Sequence, residues 1–151
     1  MVMEKIKLNS KNKDIPLIEL MLQKDHKTLA IWASDCAEHV LPIFERYYPA
    51  DRRPSAAIAA ARVWSRGEIR VGEARIAALN AHYAAQETTE KAAGSAARSA
   101  GHAAATAHMP RHAVHAARYA VMAASLMVPN EEAETAGDVE RAWQFKHLSE
   151  M

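Results

Sequence analysis

Between His26 and Tyr47, large apolar residues recur at Leu29, Trp32, Cys36, Val40, Ile43 and Tyr47. The gaps of three and four place them on one face of an α-helix. The same period returns at Ile76, Leu79 and Tyr83, and again along His112, His115, Tyr119, Met122 and Leu126. No stretch alternates apolar and polar β-branched residues, so no strand is predicted. Punctuation between the periodic runs sets the boundaries. Pro16 suits the first turn of a short helix over Leu17–Gln23. The second helix runs from His26 toward Tyr47, with Pro42 expected to kink it or end it early. Pro54 opens a third, which passes Trp64 and stops at Gly67. A fourth runs from Gly72 to Gln86. The polar stretch Glu87-Thr88-Thr89-Glu90 reads as a break with a threonine capping the next helix, since an unbroken helix from Gly72 to His108 would be very long for a domain of this size. The fifth helix spans Glu90–His108. Pro110 ends it or starts the sixth, which reaches Met127. After Pro129-Asn130 the last covers Glu131–His147, its leading acids suiting the helix dipole.

Composition explains how such helices can pack. There are 33 alanines and only 5 glycines among 151 residues, which favours long helices with few turns. A fifth helix surfaced by Ala93, Ala97, Ala100, Ala104 and Ala107 has little side chain to bury. It gains contact only where neighbouring backbones come close, at the short end of the ~8–10 Å helix spacing. That helix is therefore expected to be central, with Gly94 and Gly101 allowing the closest approach. The prediction is a single compact all-α bundle of six to seven helices over residues 15–151, preceded by a flexible polar arm at 1–14.

Charge narrows the function. Nineteen basic residues face eighteen acidic ones, a net +1, which argues against a dedicated nucleic-acid binder. The single cysteine, Cys36, excludes an internal disulfide. The lysine-rich N-terminus lacks the apolar segment of a signal peptide, and Tyr119–Val128 is too short to span a membrane. A cytoplasmic protein is expected.

Three constellations could carry chemistry. His102, His108, His112 and His115 lie close in sequence. His112 and His115 share a face, whereas His102 and His108 point apart and no carboxylate sits among them. A metal- or small-molecule-binding helical enzyme using these histidines is the alternative reading; histidines hydrogen-bonded between close-packed helices are the preferred one, with no metal and no cofactor. Asp35 and His39, four apart, can meet on a helix surface, where Asp35 would orient the imidazole beside Cys36. Cys36 itself points onto the Trp32–Val40 stripe, as an inert buried cysteine would. Trp32, Trp64 and Trp143 read as bulk for an alanine-rich core. No phosphate loop, HExxH, paired CxxC or GxSxG occurs. With no catalytic set, the chain is expected to be no enzyme and to act by binding. Its long helices are committed to packing, so Tyr47, Tyr48, Asp51, Arg52 and Arg53, between the second and third helices, are the expected partner-binding residues. A homodimer contact through the His112–Tyr119–Leu126 face competes for that role.

Several segments carry a family resemblance. Trp32–Leu41 (WASDCAEHVL), Arg53-Pro54, Ala60–Glu68 (AARVWSRGE), Ala81-His82, Ala100–His108 (AGHAAATAH), His112-Ala113, Tyr119-Ala120 and Glu140–Gln144 (ERAWQ) resemble, in order and spacing, a group of bacterial and archaeal putative immunity proteins, the Imm-5-like family. The likeness spans about Leu29 to Gln144. It implies a helical protein, assigned through gene context to toxin immunity, that binds and neutralises a protein toxin without catalysis.

Overall fold

The structure, a computed structural model, describes residues 13–151. Those residues form seven α-helices and no strand: α1 (Ile15–Met21), α2 (His26–Tyr47), α3 (Arg53–Ser65), α4 (Val71–Gln86), α5 (Lys91–Ala105), α6 (His112–Leu126) and α7 (Ala133–Ser149), with a 3-10 turn at Asn130–Glu132 before α7. The architecture is the all-α bundle that the periodicity predicts. Local signals account for most boundaries. Asp25 caps α2 by accepting from the Thr28 N–H at 2.8 Å, which satisfies a donor the helix itself leaves open. Pro54 lies in the first turn of α3. Beyond its end at Ser65 stands Gly67, whose φ of +76° lets the Gly67 and Glu68 N–H groups turn back onto the Trp64 and Val63 carbonyls, the closure that a left-handed residue after a helix provides.

Two expectations are corrected. Pro42 does not end α2, which continues to Tyr47. The break before α5 is real, but no threonine caps it. Glu90 stands at the N-cap position without a side-chain capping hydrogen bond, and Thr88 instead donates backwards to the Ala85 carbonyl at 2.8 Å. The arm assigned to residues 1–14 falls at positions 1–12 outside the described residues. Lys13 and Asp14 are fixed: Lys13 pairs with Glu134 and Asp138, and Asp14 is buried against Arg118 and Arg141.

Helix α5 is central, as its alanines require. It packs against α2, α3, α4 and α6, while α7 lies on α6 and α1 on α7. Ala93, Ala96, Ala97, Ala100, Ala103 and Ala104 of α5 are all fully buried. Short side chains let polar groups bond directly across helices. The Ser99 hydroxyl donates to the Ala116 carbonyl at 2.8 Å, and the Gln144 amide donates to the Ala117 carbonyl at 2.9 Å. Trp32, Phe44 and Leu148 supply the bulk of the core, and the Trp32 indole N–H donates to the Gln144 carbonyl. Only one of the three tryptophans is a core residue; Trp64 and Trp143 are half-buried.

Close packing inverts the usual amphipathic arrangement. On α4 the buried residues are Ala74, Ala78, Ala81, Ala84 and Ala85, while Ile76, Leu79 and Tyr83 are 63, 50 and 46% exposed. On α6, Ala113, Ala116, Ala117, Ala120 and Ala123 face inward, joined by Val114 and Val121, and Met122 and Leu126 face outward. The core takes small residues because only they allow backbones this close, so larger apolar side chains are displaced to the surface.

Candidate functional site

The connection between α2 and α3 carries all five residues read as a partner surface, and the structure divides them. Tyr48 turns inward: its hydroxyl donates to Glu90 at 2.6 Å and accepts from the Thr89 N–H at 3.1 Å. Arg53 is held between Asp51 and Glu87, with Nη2 at 2.7 Å from a carboxylate oxygen of each. Asp51 also accepts from the Arg53 backbone N–H. This guanidinium holds both carboxyl groups below their usual range. Tyr48, Asp51 and Arg53 therefore tie the α2–α3 connection to the α4–α5 connection. Tyr47 and Arg52 remain exposed, with the Arg46 guanidinium over the Tyr47 ring.

Beside this loop lies a feature that periodicity alone does not orient. Ala50, Asp51, Arg52 and Arg53 line one wall of a shallow depression, and Glu73, Ile76, Ala77 and Asn80 of α4 line the other. Ile76, in its wall, also belongs to the exposed stripe of Ile76, Leu79 and Tyr83. Those three residues were recognisable as one face. Their outward direction follows from the alanines opposite them, which is the signal that could have found them.

The histidines form a second centre. Three helices bring together His82 of α4, His102 of α5, and His112 and His115 of α6. His102 is the hub: its ring centroid lies 4.9 Å from His82, and 5.2 Å from both His112 and His115. Tyr119 stacks on it at 5.4 Å, and the Nδ1 atoms of His102 and His112 lie within hydrogen-bonding distance at 3.1 Å. Burial, followed by the neighbouring imidazoles and Arg98, pushes His102 down to about 3. Burial lowers His82, His112 and His115 as well. Sequence spacing identified His102, His112 and His115 as neighbours but missed His82, which comes from a different helix. His108 is exposed and outside the group. Among the described residues no three His, Cys, Asp or Glu side chains are arranged to hold a metal ion.

The Asp35–His39 pairing does not form. Asp35 is taken by Arg62 of α3 at 2.8 Å and by His147 of α7 at 2.8 Å. His39 instead meets the buried Glu140 of α7 at 2.7 Å. Partners on adjoining helices displace the contact within α2. Trp143 lies between the two imidazoles, stacked at 3.9 Å on His39 and 5.0 Å on His147. Cys36 is fully buried, and desolvation holds its thiol well above the ordinary range. It is a small core residue, not a nucleophile.

Taken together, the described residues make an alanine-cored helical bundle whose histidines and ion pairs join helices to one another and whose larger apolar residues stand on the surface. The chain belongs to the family of Imm-5 like putative immunity proteins, whose family model matches residues 19–151. Searches among curated proteins and among solved structures found no match. Among the described residues, no helix is long and apolar enough to cross a membrane.

Proposed function

We propose that this protein confers immunity by binding a protein toxin and blocking it through occupancy, without a chemical step. The observation that carries the reading is the outward stripe of Ile76, Leu79 and Tyr83. A contiguous apolar helix face on the surface is a frequent mark of a protein contact. Tyr47 and Arg52 stand exposed on the adjoining connection, and aromatic and arginine side chains are the usual anchors of such contacts. Family membership supports the immunity role. In this reading the two proteins meet in the cytoplasm, and Tyr48, Asp51 and Arg53 shape the connection from within instead of touching the partner.

The test begins with the wild-type protein as bait in cells of its source, to recover a protein at stoichiometric level and to ask whether co-expression relieves that protein's toxicity. Ile76→Asp with Leu79→Asp is expected to abolish both capture and protection while the helical circular dichroism and melting temperature are kept. Protection that survives this double substitution would place the interface on another face.

A further inference from the structure

The histidines of the second centre have fewer partners than they need. Each neutral imidazole carries one N–H donor and one acceptor lone pair. The contact between His102 and His112 uses one of each. The remaining donors and lone pairs of His82, His102, His112 and His115 meet no hydrogen-bonding group among the described residues. His82 Nδ1 is sealed from solvent and lies beyond a ligand's reach, so His82 stands behind the site. The rings of His102, His112 and His115 are part-exposed, as is Arg98, so the cluster opens to solvent. A depression of about 430 Å³ adjoins it, lined among others by Ser95, Arg98 and Tyr119, and Tyr119 stacks on His102.

Free lone pairs suit a metal ion and free N–H groups suit an anion, so charge decides between them. The charged neighbours of the four rings are Arg98 of α5, Arg111 before α6 and Arg118 of α6, with His108 a further titratable one. Of the three arginines only Arg118 has a carboxylate partner, Asp14. Glu90, the one acid of the depression, is engaged by the Tyr48 hydroxyl, and Lys91 beside it offsets its charge. Elsewhere in the bundle His39 and His147 each hold a carboxylate; this cluster holds none. A cation would meet uncompensated guanidinium charge here. An anion would meet donors, supply the missing counter-charge and favour the protonated form of the rings. A tetrahedral oxyanion presents acceptors in several directions, which suits donors arriving from both α5 and α6.

We propose that His102, His112 and His115, with Arg98, form a binding site for a tetrahedral oxyanion of the sulfate or phosphate type, and that the imidazoles take up protons as it binds. The site is separate from the outward stripe of α4 and does not depend on the toxin-binding reading.

Sulfate is the suitable probe, because its own charge is constant over the range in which imidazole titrates. It is titrated into isotope-labelled full-length protein and followed by histidine-ring and arginine side-chain NMR shifts, with chloride at matched ionic strength as the control. Sulfate is expected to give saturable shifts at His102, His112, His115 and Arg98, with a Kd on the order of 1 mM near pH ~5.5 for so small a ligand. At pH ~7.5 binding should be about tenfold weaker or more, since each proton taken up contributes up to about tenfold per pH unit. Chloride should give no saturable shift. Arg98→Gln should weaken sulfate by about tenfold through loss of a charge-assisted contact. His115→Gln, at a part-exposed position, should weaken it several-fold at the lower pH and flatten the pH dependence, and it serves if Arg98→Gln does not fold. Inorganic phosphate and ethyl phosphate are run alongside at the lower pH: tighter binding of the ester assigns the site to a phosphorylated molecule, and tighter binding of phosphate to the free ion. Absence of saturation by about 50 mM sulfate, the same shifts with chloride, equal affinity at the two pH values, or binding unchanged in the folded variants would each overturn the proposal.

Discussion

The imidazole of His82 lies against the backbone of Gly101: a Cβ at position 101 would stand 2.7 Å from His82 Cε1 and 2.8 Å from Nε2. Helix α4 thus presses a ring onto one of the two points of α5 that carry no side chain, the other being Gly94. The same ring has a buried Nδ1 without a hydrogen-bond partner among the described residues, so it sits there through packing.

Gly101→Ala is therefore expected to destabilise the protein, by about 1–3 kcal/mol, even though alanine is the better helix former. Urea denaturation measures this directly. His82→Ala in the same chain should recover about half or more of the loss, because the two positions share one contact. If Gly101→Ala leaves the midpoint unchanged, the His82 ring can swing aside freely.

The histidine centre predicts a pH dependence. His102, at about 3 in the folded protein, lies below the unfolded histidine value of about 6.5. Below pH ~6.5 the unfolded chain binds more protons, so stability is full above that pH and declines as pH falls toward the folded value. Protonation there would set a charge against Arg98, His82, His112 and His115, the neighbours named for His102. Between pH 7 and pH 5 the loss from His102 is about 1–2 kcal/mol after discounting for the solvent that reaches the ring. Denaturation midpoints across that range should show the decline, and His102→Gln should flatten it. An equally steep decline in the variant would assign the effect to other groups.

Cys36 should be unreactive in the folded protein. Its thiol is buried in the core and its thiolate disfavoured. An aromatic disulfide reagent is expected to label it about a hundredfold more slowly than the unfolded chain, at a rate set by opening of the bundle. Fast labelling without denaturant would contradict the assignment of Cys36 as a core residue.

Tyr48→Phe should cost about 0.5–1.5 kcal/mol, because it removes the hydroxyl that bridges Glu90 and the Thr89 N–H. In a domain of this length that corresponds to a fall in melting temperature of roughly 2–4 °C per kcal/mol. The Arg52→Ala change, at an exposed position, should leave the melting temperature alone. Equal stability of Tyr48→Phe and the wild type would free Tyr48 for a role outside the fold.

Which stretches are helical, and where they stop, was settled by the sequence itself. Proline at positions 16 and 54, Gly67, the polar break at 87–90 and Pro129 act over a few residues of chain, and alanine's helix propensity does the rest. The centrality of α5 was legible too, since a helix of alanines and glycines has only close contact to offer. The direction of each face was decided by the tertiary structure. Periodicity says that Ile76, Leu79 and Tyr83 share a face of α4, yet the alanine face is equally regular, and close backbone approach selected the smaller side chains for the core. Likewise, Asp35 and His39 are within reach along one helix, but His147 and Glu140 lie nearer in the folded bundle. Those partners are more than a hundred residues away in the chain, so no local pattern encodes them; the pairing exists only once α2 and α7 have packed, when a nearby charge on another helix displaces the contact available within one.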